Sequence, residues 1–188
     1  NEHREQYNID IMKKNSQKTI VILIILGLLI SILPASLASA EAAPSQAFIS
    51  GFVGHAQTMP LSCESRSAVD VAAFMGKSVS ESTFFNALPK SDNPEKGFVG
   101  NVYGAWGQIP PHPYGVHAQP IASTLNSFGV PAKAHMWYSW DKLKSEIAAG
   151  RPVIVWVIGA VWSGTAQTYK ANDGAEVHKH VALAAVTF

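Results

Sequence analysis

The amino-acid sequence predicts an α+β domain, in which N-terminal helices pack on an antiparallel sheet formed by the C-terminal half. Three observations favour this class. Apolar residues recur at helical spacing in several segments between 63 and 147, a continuous β-branched run follows at 153–158, and a further apolar run closes the chain. Hydrophobic residues make up 47% of the sequence and charged residues 14%, as is typical of a packed core rather than of a disordered segment.

The first predicted helix runs over 63–75. Ser62 is placed as its N-cap, and Glu64 lies in the first turn, where a carboxylate complements the helix dipole. Gly76 supplies a stop. One face of this helix is apolar, with Ala68, Val71, Ala72 and Met75.

Three more helices are predicted after it. A capping box at 78–81 opens the second, which Pro89 ends. The third has Pro120 near its start and Gly129 after it. Ser139 caps the fourth, which a Gly-Arg-Pro segment closes.

The strands are predicted mostly in the last third of the chain. A short strand is expected within 132–137, and the run at 153–158 is typical of a strand buried on both faces. Residues 159–177 are interpreted as a polar loop with an Asn-Asp-Gly turn at 172–174. A last strand is expected over 178–188.

The segment 89–118 contains ten Gly and Pro residues, interspersed with Tyr103, Trp106 and Tyr114. A structureless segment of this length is uncommon inside a compact domain unless it has a function or is disordered. Its aromatic residues favour an ordered loop that forms the wall of a groove. Trp106, Tyr114 and His117 are therefore candidate binding residues.

The N-terminus predicts an exported protein. Residues 12–40 combine early lysines, an apolar run at 20–33 and an Ala-Ser-Ala end, as a signal peptide does, with cleavage expected after Ala40. The alternative is an uncleaved membrane anchor, but the apolar run is shorter than the ~20 residues of a spanning helix. We expect a secreted or cell-surface product, with 1–11 as an upstream extension and 41–56 as a linker into the domain.

The charge of the expected mature chain gives no sign of a polyanionic partner. From residue 41 onward ten Lys and Arg balance ten Asp and Glu, so the net charge of +1 comes from residues 1–40. No basic patch indicates nucleic acid binding, and no charged run indicates a membrane surface beyond transient export. The sequence also indicates no cofactor and no metal site, since His112 and His117 have no cluster of ligands around them.

The single cysteine, Cys63, is the residue most suggestive of chemistry. It cannot form an internal disulfide, so it is either a small buried hydrophobe or a working thiol. A helix N-terminus beside an imidazolium lowers a thiol pKa and yields the nucleophilic thiolate. His178 and His180 lie on the same face of the expected last strand, and alternation alone does not choose between them. Gln57, six residues before the cysteine, is either an oxyanion donor or an ordinary surface glutamine.

Several segments together resemble a known family. The run Gln-Thr-Met-Pro-Leu-Ser-Cys-Glu at 57–64 is followed by an alanine-rich helix, and similar pieces stand at 91–94, 97–100, 106–111, 114–117 and 150–156. From 57 to the end, the chain resembles family thirty-nine of the cysteine peptidases. These are papain-like enzymes typified by bacteriocin-leader processing, and the likeness is to their stand-alone, exported relatives.

The resemblance implies a papain-like peptidase domain at 57–188 that acts on a peptide or protein substrate. It implies that Cys63 attacks through a thioester acyl-enzyme, that His180 is general base and acid, and that Gln57 donates to the oxyanion. His180 heads the apolar strand of the family pattern, whereas His178 is out of register. The family's third catalytic residue, an Asp or Asn on the following strand, has no counterpart before Phe188, so we expect the domain to be incomplete at its C-terminus.

Two other functions stay open at this point. The same Cys–His pair on a papain-like fold serves amidases of peptidoglycan cross-links. The absent third residue would also fit an exported binding module that has lost catalysis. The sequence leaves substrate specificity and oligomeric state undetermined.

Overall fold

The computed structural model of the chain describes residues 44–157, 167–179 and 185–188. The leader expected at 12–40 and the extension at 1–11 lie outside these residues. The described helices are α1 (Cys63–Phe74), α2 (Glu81–Ala87), α3 (Ala118–Ser127) and α4 (Trp140–Ala148). The described strands are β1 (Lys133–His135), β2 (Ile154–Val155), β3 (Gln167–Lys170), β4 (Glu176–Lys179) and β5 (Ala185–Thr187). The predicted α+β class is confirmed.

Two antiparallel sheets are formed by the described strands. The order β1-β5-β2 makes the first, in which Ala134 and Ile154 both face Val186 from opposite sides. The hairpin β3-β4 makes the second, with Thr168 opposite His178. All of these strands belong to the C-terminal half, as predicted.

The core lies where α1, α2 and α3 meet one another and the β1-β5-β2 sheet. Apolar side chains from all three helices and from the sheet are buried there, because each helix has one apolar face to remove from water. Connecting segments contribute to the core as well, and the largest fully buried apolar side chains among the described residues are Phe84, Phe98, Ile121, Leu125, Val69, Val99, Val116, Val130 and Val186. No helix among the described residues is long and apolar enough to cross a membrane.

The helices form where predicted, and Ser62 is the N-cap residue of α1, but its side chain does not cap the helix and the capping box predicted before α2 is wrong. Ser62 stands at the start of α1 without a side-chain capping hydrogen bond, because its hydroxyl lies against Met59 O and the Glu81 carboxylate, which share its single proton. The box at 78–81 begins two residues too early. Ser80 is the N-cap of α2, and its oxygen accepts from the Thr83 backbone N–H. Ser139 caps α4 as predicted, accepting from Lys142 N–H.

Two strand predictions are also corrected. The run at 153–158 was expected to be buried on both faces, but within the described residues only Ile154–Val155 pair, and Val155 and Val157 are exposed. These side chains face an open groove instead of a helix layer. The expected loop at 159–177 contains β3, and β4 begins before 178, so this stretch forms a hairpin around the predicted turn at 172–174.

The segment 89–118 is ordered, as its aromatic content predicted. Isolated bridges join Lys90 to Phe98 and Val99 to Gly115, which fold the segment back on itself. The Asp92 carboxylate accepts hydrogen bonds from the Tyr169 hydroxyl and the Asn172 N–H, both in the β3-β4 hairpin. The segment is therefore a packed wall that also holds this hairpin.

Candidate active site

Cys63 is the first residue of α1 and is exposed. The turn before it is closed by the Ser62 N–H donating to Met59 O, and Leu61 N–H donates to Val102 O. The chain thus enters the helix with Cys63 on the outer side of its first turn, while Ser62 is fully buried beneath it. A thiol expected to react is in this way accessible from solvent.

Cys63 opens into a groove with a cavity volume of about 400 Å³. One wall comes from the segment 89–118 and the other from the β2 region. The predicted binding residues Trp106, Tyr114 and His117 all line this groove together with Cys63. The remaining lining residues are Pro60, Leu61, Glu64, Ser67, Gly107, Gln108, Val116, Ile154, Val155, Trp156 and Val157. Most of this lining is apolar, as is common in binding sites for organic ligands.

A carboxyl group lies directly beside the thiol. Glu64 Oε2 is 3.2 Å from Cys63 Sγ, and Glu64 Oε1 accepts from the Val116 N–H at 3.2 Å. The Glu64 side chain therefore bridges α1 and the opposite strand segment along the groove wall. Burial raises the pKa of Glu64, although hydrogen bonds from backbone N–H groups and the nearby His117 partly offset this effect.

The described residues around Cys63 make its thiol weakly acidic. Burial of the sulfur between the groove walls raises the pKa of Cys63 to about 12, with the Glu64 charge as the second cause. The residue is exposed along one side only, so its sulfur still loses much of the water that would solvate a thiolate. Backbone N–H groups at the helix start act in the opposite direction but are the weaker effect. The described residues thus do not make the thiol acidic, and the imidazolium expected beside it remains a prediction.

His117 forms a buried polar cluster behind Glu64. Its Nδ1 contacts Glu95 Oε1, and its Nε2 lies 3.0 Å from the Tyr114 hydroxyl. The His117 side chain is only 3% exposed, whereas the Glu95 side chain is 37% exposed, so the pair joins a buried ring to a carboxylate that reaches solvent. Burial, followed by the charges of Glu64 and Glu95, raises the pKa of Tyr114 to about 12, so its hydroxyl remains protonated at neutral pH.

Gln57 lies beside the site but its amide is turned into its own loop. Its Nε2 donates to Met59 O at 2.9 Å and to Pro60 O at 2.7 Å. Gln57 is not among the described residues that line the groove. Pro60 O also accepts from the Trp106 indole N–H at 3.0 Å, which links this loop to the groove wall.

The two candidate histidines lie at the edge of what the structure describes. His178 is in β4, opposite Thr168 in the hairpin. His180 lies outside the described residues. Their roles remain predictions, and the same is true of Gln57 and Cys63.

The hairpin that contains His178 is anchored by charged residues from the segment 89–118. Lys96 Nζ is 2.6 Å from Asp173 Oδ2, and Asn93 Nδ2 donates to the same oxygen at 3.1 Å. These contacts lower the pKa of Asp173 to about 2, with the Lys96 hydrogen bond as the largest cause.

Among the described residues, no group of three or more His, Cys, Asp or Glu is arranged to hold a metal ion.

Comparison with known proteins agrees with the geometry. The model of the Peptidase_C39 like family matches residues 50–183. The chain belongs to this family. A crystal structure from Bacillus anthracis, of a protein described as a C39-like peptidase, has the same fold with a TM-score of 0.61 and 23% identity. The match covers 77% of this chain and 76% of that chain. No curated protein matches the sequence.

The site contains two residues that the sequence argument did not assign to it. Glu64 was interpreted as a dipole-complementing residue of the first turn, and Glu95 was not singled out. Adjacency to Cys63 does not predict the contact of Glu64 with the sulfur, because neighbouring side chains on a helix point in different directions. The contact between Glu95 and His117 joins residues 22 positions apart and depends on the path of an irregular loop.

Proposed function

We propose that this member of the C39-like peptidases cleaves peptide bonds with Cys63 as nucleophile, His180 as general base and acid, and Gln57 as oxyanion donor. The observation that carries the proposal is the exposed Cys63 at the first residue of α1, opening into a groove lined by Trp106 and Trp156. It is the sole cysteine in the sequence. Family membership supports a hydrolase of this class.

The proposed reaction begins with transfer of the thiol proton to the imidazole. The thiolate then attacks the scissile carbonyl carbon, forming a C–S bond and placing negative charge on the carbonyl oxygen. As the intermediate collapses, the C–N bond breaks and the imidazolium gives its proton to the leaving amine. Water, deprotonated by the same imidazole, then hydrolyses the thioester and releases a carboxylic acid.

His180 in its protonated form is what the thiol needs in this scheme. The described residues raise the pKa of Cys63 to about 12, so a thiolate at neutral pH requires a cation close to the sulfur. An imidazolium beside a thiolate is such a cation. The thiolate–imidazolium pair would then depend on the fold bringing His180 to Cys63, and not only on the position of Cys63 at the helix start.

Gln57 has to exchange one hydrogen bond to act as the oxyanion donor. Its Nε2 hydrogens currently point to Met59 O and Pro60 O. A substrate carbonyl held above Cys63 would compete for one of them as negative charge develops, because a charged acceptor binds an N–H more strongly than a neutral carbonyl does.

The substrate we propose is an extended peptide with apolar side chains near the scissile bond. Trp106, Val155 and Val157 are exposed and line the groove, where they would bury such side chains on binding. We also propose that the peptidase itself is exported before it acts, as the leader expected at 12–40 implies.

The test is cleavage of a peptide library by the purified protein, read by mass spectrometry. Cys63→Ala is expected to abolish cleavage. An active-site-directed electrophile is expected to increase the mass of the unchanged protein by one adduct and to leave the mass of Cys63→Ala unaltered. His180→Ala is expected to lower kcat by roughly 10²–10⁴-fold, the usual contribution of a general base. The matched variant His178→Ala is expected to retain activity.

The outcomes separate this proposal from other functions of a papain-like fold. Cleavage that persists in Cys63→Ala would exclude the thiol mechanism. Turnover of a muropeptide without turnover of any library peptide would indicate an amidase of peptidoglycan cross-links instead.

A further inference from the structure

The carboxyl group of Glu64 lies in direct contact with the thiol of Cys63. Its Oε2 lies 3.2 Å from the sulfur and is placed to accept the thiol proton's hydrogen bond. Its other oxygen accepts from Val116 N–H, so the carboxyl is held from both sides. This geometry fixes a second ionisable group against the proposed nucleophile.

The Glu64 carboxyl occupies space that the absence of a side chain at Gly115 leaves open. A Cβ on Gly115 would lie 2.5 Å from Glu64 Oε1, so only glycine leaves room for the carboxyl at this position. The Gly115 φ of +123° is also one that residues with a side chain rarely adopt. The backbone at 115–116 therefore both admits the carboxyl and donates a hydrogen bond to it.

Two negative charges at this separation oppose each other strongly. At 3.2 Å their repulsion amounts to about one unit of pKa even at the dielectric constant of water, and to more in a partly desolvated groove. A thiolate beside an ionised Glu64 is accordingly disfavoured. A thiolate beside a protonated Glu64 is favoured, because the carboxylic acid then donates a hydrogen bond to the sulfur.

We propose that Glu64 is a protonation gate for the nucleophile: the Cys63 thiolate forms while the Glu64 carboxyl keeps its proton. The inference rests on the proposed function in taking Cys63 as the nucleophile. In the balanced step, the thiol proton passes to the imidazole and Glu64 retains its own proton. The thiol–carboxyl pair then carries one negative charge, located on sulfur.

Other ionisable groups near Glu64 act on this gate. From α1, Cys63 itself faces it. From the segment opposite, His117 lowers the pKa of Glu64, and the Tyr114 hydroxyl stays neutral at physiological pH. Glu95 contacts His117, and its charge helps to raise the pKa of Tyr114. Burial of Glu64 is the largest influence and favours the protonated carboxyl.

The experiment measures the rate at which iodoacetamide alkylates Cys63 as a function of pH, with intact-protein mass as readout. Glu64→Gln keeps the shape of the side chain and a hydrogen-bond donor but removes the charge. We expect its alkylation at pH 7 to be at least about tenfold faster than that of the unchanged protein, with the apparent thiol pKa displaced to lower pH. Glu146→Gln, a matched change on α4, is expected to leave the profile unaltered. An unaltered or slower profile for a folded Glu64→Gln protein would overturn the gate.

A second measurement needs no variant and serves if Glu64→Gln does not fold. The carboxyl carbon of Glu64 is titrated by NMR before and after Cys63 is capped with iodoacetamide. Capping removes the S–H donor that helps to lower the pKa of Glu64, so the midpoint is expected to rise. A midpoint that does not move contradicts the coupling.

The alkylation assay also keeps the two proposals apart, since it requires no substrate. Faster alkylation of Glu64→Gln without any peptide cleavage would leave the gate standing and remove the peptidase function. Peptide cleavage by the unchanged protein, with identical alkylation profiles for it and Glu64→Gln, would support the peptidase function and overturn the gate. If both hold, kcat/KM of Glu64→Gln is expected to exceed that of the unchanged protein at the pH values where its alkylation is faster.

Discussion

The hydroxyl of Ser62 donates to the buried carboxylate of Glu81, which joins the residue before the candidate nucleophile to the start of α2. The same carboxylate accepts the Thr58 N–H at 3.1 Å, and Arg66 Nη1 lies 3.7 Å away. The loop 57–62 is thereby held by one acidic group at two points. A carboxylate in this role fixes the entry of the chain into α1, and with it the direction in which Cys63 faces.

Glu81→Ala is expected to destabilise the protein by roughly 1–3 kcal/mol, because it leaves the Thr58 N–H without its acceptor and removes one of the two acidic partners of Arg66, which keeps Asp70. The Glu81 side chain is 4% exposed, so water cannot replace it readily. Urea unfolding measures the loss. Glu146→Ala removes a more exposed partner of Arg151 and is expected to cost less than about 1 kcal/mol. Equal costs for both variants would show that Glu81 does not organise the loop.

Asp70 is expected to make stability depend on pH in the acid range. Burial opposes its ionisation, but hydrogen bonds from His55 and Arg66 prevail and lower its pKa below 3.8. The unfolded chain therefore binds a proton at higher pH than the folded chain. The stabilisation is fully present above about pH 4 and is lost as the pH falls through the folded pKa.

Asp70→Asn tests this expectation. The variant is expected to be less stable by about 1–3 kcal/mol at pH 7, and the difference from the unchanged protein is expected to shrink as the pH falls below 3.8. Denaturant unfolding at a series of pH values measures it. A difference that stays constant down to pH 3 would mean that the Asp70 charge contributes nothing.

Gly115→Ala is expected to disturb Glu64 as well as the backbone. The new Cβ would meet Glu64 Oε1, whereas at Gly150, with φ +75°, a Cβ meets nothing within 4 Å. Gly150→Ala therefore isolates the conformational cost, on the order of 1–2 kcal/mol. We expect Gly115→Ala to cost more than this and to change the alkylation rate of Cys63, which Gly150→Ala should not do. Thermal unfolding and alkylation are measured on both.

Gln57→Ala is expected to reduce kcat by roughly 10²–10³-fold if Gln57 donates to the oxyanion, with a smaller change in KM. Its stability should fall only slightly, since the amide is half-buried and the loop retains its contacts to Glu81. Steady-state kinetics on a cleaved peptide measure the effect. A variant that loses stability but keeps kcat would assign Gln57 a structural role alone.

The parts of the fold that were predictable are those governed by local periodicity and punctuation. Gly76 after α1 and Ser139 before α4 are local signals that correspond to what is observed. On the predicted apolar face of α1, Ala68, Val71 and Ala72 are buried, whereas Met75 is the C-cap of the helix and is exposed. Family resemblance in the segments around Cys63 supplied the fold type, which periodicity does not specify. The exposed position of Cys63 also agrees with the expectation of a working thiol.

The errors arose where tertiary contacts compete with local ones. Ser62 has a residue type suited to capping, but the Glu81 carboxylate lies 19 positions away in sequence and takes its hydroxyl. The β-branched run at 153–158 predicted burial on both sides, whereas Val155 faces the groove. A groove leaves apolar residues in water, and hydrophobic patterning cannot distinguish that surface from a core.

The carbonyl oxygen of Pro60 has two donors, Gln57 Nε2 and the indole of Trp106. Met59 O is similarly shared, since Ser62 contributes both its N–H and its hydroxyl there. Either acceptor can therefore lose the glutamine without becoming an unpaired dipole, and the rotation of that amide toward a bound ligand forfeits a single bond. Substitution of Trp106 would remove the second donor to Pro60 O and make the same rotation of the Gln57 amide more costly.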